Sequence, residues 1–177
     1  MKRQFMRVQK QSPQNLTPNV EELISALRHA TFSGKMVDLK SHFVDFTLGT
    51  TTELLFGESL TTLPQEVREG FRDSFDYASW VCGIRIRLAD LAPLYNTTKF
   101  KKACKVVKGV AANFFDRALQ YKDEVGEDAA LKKYTFIMEM WTEMRDAERV
   151  RDQLLHVLLA GRDTTACLLS WTFFHLV

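Results

Sequence analysis

Apolar residues recur at spacings of three and four along almost the whole of this 177-residue chain, and no stretch alternates polar and apolar between turn residues as a strand would. That pattern predicts an all-α fold. Asn19–Ala30 places Val20, Leu23, Ile24 and Leu27 on one helical face, with Gly34 as the breaker. Val37–Leu60 offers Leu39, Phe43, Phe46, Leu54 and Leu55 to a core, and Gly57 is the expected stop. Thr62-Leu63-Pro64-Gln65 reads as a helix start, with Thr62 capping and Pro64 in the first turn. The next helix runs through Phe71–Leu91 and ends before Pro93. Tyr95–Val125 is a long amphipathic helix with Phe100, Cys104, Val107, Phe114 and Leu119 on its apolar side, closed by Gly126. Asp128–Trp141 forms another helix, and a last one begins near Arg145 and runs to the end. No repeat period is visible, so residues 1–177 read as a single domain or part of one.

Composition narrows the function classes. At 46% hydrophobic and 26% charged the chain is globular in character, and a formal charge of +2 does not point to nucleic acid. Lys99, Lys101, Lys102, Lys105 and Lys108 recur at helical spacing and read as a solvated face. The 3 cysteines (Cys82, Cys104, Cys167) are odd in number and scattered, and the histidines are dispersed. Neither a disulfide framework nor a metal site is implied, and a reducing compartment is the default. The basic start, Met1–Leu16, lacks the apolar core of a signal peptide.

The apolar run Leu154–Val177 is interrupted by Gly161-Arg162-Asp163-Thr164-Thr165. A membrane span tolerates Arg162 and Asp163 poorly at mid-depth, so a helix surrounded by protein is the expectation. Ala160, Gly161 and Thr164 share a face, and small residues there let something flat approach the backbone. Gly161 and a back-bonding Thr164 weaken the local ladder, which favours a bend or a widened turn. Asp163 next to Thr164 makes an acid–alcohol pair suited to proton delivery. The same residues read equally well as helix-packing positions, with Arg162 and Asp163 paired to neighbouring helices. No stop signal follows Trp171–Val177, so the chain is expected to be a fragment cut inside a helix.

Ala160-Gly161-Arg162-Asp163-Thr164-Thr165 resembles the oxygen-activation motif on the long central helix of cytochrome P450 monooxygenases. The surrounding Val150–Trp171 and the upstream Val37–Leu60, with Glu53 ahead of Leu55-Phe56-Gly57-Glu58-Ser59, resemble the fungal branch that hydroxylates alkanes and fatty acids. Phe71–Ala78 and Phe100–Leu119 follow in the same order, so the resemblance extends from about Val20 to the end. It implies a partial P450 fold, a haem b cofactor contacted by Ala160, Gly161 and Thr164, and proton delivery by Asp163 and Thr164. It also implies a substrate wall that includes Val157, Leu159, Phe75 and Tyr77. The partners it implies are an NADPH-cytochrome reductase and a long-chain lipid or hydrocarbon, with no nucleic acid, at the endoplasmic reticulum membrane in a full-length enzyme.

The family's haem-ligating cysteine lies in Phe-x-x-Gly-x-x-x-Cys-x-Gly, downstream of the central helix. Cys82 comes nearest with Phe75 at the right offset, but Ala78 and Ile84 replace the two glycines and it precedes that helix. Cys104 and Cys167 read as small apolar residues. Glu69/Arg72 and Glu148/Arg151 match the family's Glu-x-x-Arg spacing but also precede the central helix, and its Trp-x-x-x-Arg helix is absent. The chain is therefore expected to be the middle portion of a P450 domain that lacks the thiolate ligand, carries no membrane anchor and is inactive alone, cytoplasmic or unstable. The alternative is a stand-alone helical interaction protein, or a pseudogene product, without catalysis.

Overall fold

The computed structural model describes residues 16–32 and 36–176, which leaves the basic lead-in and the expected breaker Gly34 outside the described residues. Every regular element among the described residues is helical. In chain order these are α1 (Thr17–Phe32), α2 (Leu39–Phe56), a 3-10 turn (Leu60–Thr62), α3 (Gln65–Leu88) and a second 3-10 segment (Ala89–Leu94). After them come α4 (Thr98–Val125), α5 (Glu127–Lys133), α6 (Thr135–Met144) and α7 (Ala147–Leu176).

Local chemistry accounts for most boundaries. Asp38 caps α2 by accepting from the Lys40 N–H at 3.1 Å, and Thr97 caps α4 through Phe100 N–H at 3.1 Å. Gly57 ends α2 in the left-handed region, at φ +70°. A Cβ at that position would also overlap the Lys133 carbonyl oxygen, so only glycine fits. Some expected boundaries differ. Thr62 does not cap α3: its hydroxyl donates to the Ser59 carbonyl at 2.9 Å, and Pro64 takes the cap position with no side-chain bond. The helix expected over Asp128–Trp141 is split at Tyr134, whose φ of −112° and ψ of 43° leave the helical region.

That break has a tertiary cause. Tyr134 is buried, and its hydroxyl donates to the Glu58 carboxylate just past the end of α2. Arg117 of α4 and Lys133 of α5 reach the same carboxylate at 2.6 and 3.2 Å. One nearly buried acid thus ties the end of α2 to α4, α5 and α6. Around it lies the main apolar core, with Phe56 and Phe114 stacked at 4.8 Å and Phe115 edge-on to Trp141 at 5.6 Å. Leu55 and Phe43 are buried as expected, whereas Leu39 and Leu54 are exposed and α1 has no buried residue at all.

Candidate functional site on the last helix

Asp146 precedes α7, and its carboxylate accepts from the N–H groups of Glu148 and Arg149 at 3.1 and 3.2 Å. The buried residues of α7 are Val150, Leu154, Leu158, Arg162 and Ala166. They follow one another at intervals of four, so a single ridge faces the rest of the protein. The described residues thus cover one side of this helix. Its opposite side, with Ala160, Asp163, Thr164, Cys167 and Trp171, is exposed.

The interrupting residues divide between these two sides. Gly161 lies on the border against α2, where a Cβ would stand 3.0 Å from the Thr51 methyl carbon. Its small size serves the α2–α7 crossing. Ala160 and Thr164 sit one turn apart on the exposed side, joined by a 2.5 Å hydrogen bond from the Thr164 hydroxyl to the Ala160 carbonyl. The expected back-bond is present, while the expected widening is not: residues 147–176 are α-helical throughout.

Arg162 points inward, its side chain only 3% exposed. It pairs with Asp76 of α3, bonds its neighbour Asp163 at 3.3 Å and lies 5.2 Å over the Phe75 ring. Its Nε has no hydrogen-bond partner. A charge buried this deeply persists because partners surround it, and here they bridge α3 to α7.

Between α2, α3 and α7 opens a cleft of about 900 Å3, whose lining includes Val44, Trp80, Leu159, Asp163, Trp171 and Phe174. That volume falls in the range of small-molecule sites. Of the residues expected from sequence, Leu159 and Asp163 come together in it. Phe75 is buried in the core beneath Arg162, and Val157 packs on the core as well. Tyr77 lies elsewhere, under the Lys99 ammonium at 4.4 Å with its hydroxyl 3.4 Å from Thr97. Trp80, Trp171 and Arg162 were missed as wall residues. The available signal was Asp76 and Trp80, one turn apart on α3 and placed to meet a helix that carries an arginine.

The remaining sequence features fall on the scaffold. Arg72 pairs with Asp45 at 2.9 Å and Arg151 with Asp116 at 2.7 Å, which ties each to another helix. Cys82 and Cys167 are exposed, Cys104 is half-buried, and all are free. No group of metal-ligating side chains occurs among the described residues, and no described helix is long and apolar enough to cross a membrane.

Comparison with known proteins places these features in a family. The family described as Cytochrome P450 matches residues 3–177. Similar proteins include Cytochrome P450 52A13 of Debaryomyces hansenii, 34% identical over 98% of this chain and 35% of its own length. Cytochrome P450 52A1 of Candida tropicalis is 33% identical over 98% of this chain and 33% of its own, and Cytochrome P450 52A4 of Candida maltosa 35% over 98% and 34%. The chain thus spans about a third of the length of these curated relatives. No solved structure gives a significant match. Matched along nearly all of its length and in the order of its helices, the chain belongs to the cytochrome P450 family.

Proposed function

We propose that this chain is the oxygen-side and substrate-wall segment of a haem monooxygenase acting on long-chain alkanes or fatty acids. The observation that carries the reading is the exposed strip of α7, where Ala160 and Thr164 stand one turn apart beside Asp163 with no described residue covering them. The strip fits a haem on one side only. Ala160 and Thr164, small and exposed, would hold a planar macrocycle against α7, with Cys167 on that same side of the helix.

Haem, when bound, supplies the oxygen chemistry by which one atom of O2 enters a C–H bond, with electrons from an NADPH-cytochrome reductase. The chain's own residues do the rest. The Thr164 hydroxyl donates to the Ala160 carbonyl and keeps its oxygen lone pairs free on the exposed side, where they can hold a water. Asp163 is 51% exposed at the edge of the cleft, in reach of solvent protons, and its bond to Arg162 holds it there. Trp80, Trp171, Phe174 and Leu159 give the cleft an apolar wall suited to a hydrocarbon chain. The endoplasmic reticulum membrane, which concentrates such substrates, is the location this reading implies.

A chimera tests it: residues 16–177 replace the matching third of the Candida maltosa relative, and hydroxylation of a long-chain alkane and a fatty acid is measured. Product formation is the expected result. A chimera that folds, binds haem and consumes no substrate of either kind would overturn the reading. The isolated chain mixed with haem, reduced and exposed to carbon monoxide should give no thiolate-type Soret band.

A further inference from the structure

Outside the α7 site, the contact between α3 and the start of α4 carries two cysteine thiols, Cys82 and Cys104. Tyr77 of α3 reaches Thr97 at 3.4 Å and lies under Lys99 at 4.4 Å, while Arg85 of α3 lies 5.3 Å from the Phe100 ring and donates to the Tyr95 carbonyl at 3.2 Å. Residues 77–85 of α3 therefore lie across the first turns of α4. Cys82 is three residues before Arg85 and Cys104 four residues after Phe100, so each shares the face of a residue already in contact. Val81 and Ala103, each next in sequence to one of the cysteines, are both buried.

We propose that Cys82 and Cys104 form a redox-responsive pair that closes into a disulfide between α3 and α4. Oxidised glutathione balances the step. The Cys82 thiolate attacks one sulfur of the oxidant and releases one glutathione thiolate, giving a mixed disulfide. Cys104 then gives up its proton and attacks the Cys82 sulfur, releasing the second glutathione. Two protein thiols are oxidised and one oxidant disulfide is reduced to two thiols. The order of attack follows exposure: Cys82 is open to solvent and Cys104 half-buried. Burial raises the Cys104 thiol above its ordinary value, and the neighbouring Cys82 raises it further, as two adjacent thiols do. In a reducing compartment such a pair rests as dithiol and closes only under oxidative load. Closure would staple α3, which carries Asp76 and Trp80 of the cleft wall, to α4.

The test is to titrate the 177-residue chain with oxidised glutathione, digest it without reduction and identify cross-linked peptides by mass spectrometry. The expected product is one intramolecular link joining the Cys82 and Cys104 peptides, reversed by dithiothreitol, retained in Cys167→Ser and lost in both Cys82→Ser and Cys104→Ser. Cys104→Ser should instead trap glutathione on Cys82. Glutathione on Cys82 in the unsubstituted chain with Cys104 still free, or links made mainly through Cys167, would overturn the proposal. Running the oxidation in urea separates folded geometry from chance: the preference for the Cys82–Cys104 link should vanish there, and its persistence would equally count against the pair.

Discussion

Two nearly buried charges, Glu58 at the end of α2 and Arg162 in the middle of α7, are built alike and finished differently. Each draws partners that are themselves about half in water: Arg117 and Lys133 around Glu58, Asp76 and Asp163 around Arg162. Around Glu58 the surroundings close, because Gly57 turns the chain tightly against the Lys133 carbonyl and Tyr134 donates from the core. Around Arg162 they stay open. The cleft and the exposed strip begin at its neighbours. A motif that resembles the family therefore does not by itself mark chemistry. Leu55-Phe56-Gly57-Glu58-Ser59 holds helices together, whereas Ala160–Thr165 buries Arg162 and leaves Asp163, Thr164 and Thr165 exposed.

Glycine substitution should separate the two regions most sharply. Gly57→Ala is expected to destabilise the chain by about 3 kcal/mol or more in urea denaturation, from a strained backbone and an overlap with a carbonyl that cannot move freely. Gly161→Ala should stay within about 1 kcal/mol of neutral, since helix propensity gains roughly what the 3.0 Å approach to the Thr51 side chain loses. Equal losses would remove the distinction.

Removing the charges should give a smaller contrast. Glu58→Gln is expected to cost about 1–2 kcal/mol, discounted because Arg117 and Lys133 can turn to water. Arg162→Met, which replaces a buried ion by an apolar chain of similar length, should cost under about 1 kcal/mol. A larger loss for Arg162→Met than for Glu58→Gln would make Arg162 the stronger structural tie.

Smaller still is the pH dependence of the closed region. Burial raises the Tyr134 hydroxyl above its ordinary value, and the Glu58 carboxylate raises it further. For Lys133 burial opposes the charge, but bonds to Tyr134 and Glu58 together outweigh it and raise that group too. A value raised by folding gives stability that is complete below the unfolded value and lost as pH rises through the folded one. The thermal midpoint should therefore fall above about pH 10, and Tyr134→Phe should flatten part of that fall. An identical slope in Tyr134→Phe would exclude Tyr134 as its source.

Sequence was most legible where local rules decide the outcome. The Gly57 stop, the amphipathic α4 and the back-bonded Thr164 each depend on residues within one or two turns of each other. The break at Tyr134 was not legible, because a carboxylate far away in sequence makes it. The Asp76–Arg162 bridge was hidden for the same reason: either residue alone is an ordinary surface charge. For α7 the apolar pattern fixed the helix but not which side the described residues cover, since that depends on the packing of α2 and α3 against a single ridge. Phe75 shows the limit of carrying a role over by resemblance. The resemblance implied a place on a substrate wall, and the structure puts the ring in the core beneath Arg162.

The central claim is that Thr164 acts chemically rather than structurally, and Thr172 provides its control. Both are exposed on α7 and both donate to the carbonyl four residues back, at 2.5 and 2.8 Å. In the chimera, Thr164→Ala and Thr172→Ala should each change stability by less than about 0.5 kcal/mol. Hydroxylated product per reductant consumed should fall about 100-fold in Thr164→Ala, the scale of a lost proton-transfer group, and stay unchanged in Thr172→Ala. Equal product yields in the two variants would contradict the account.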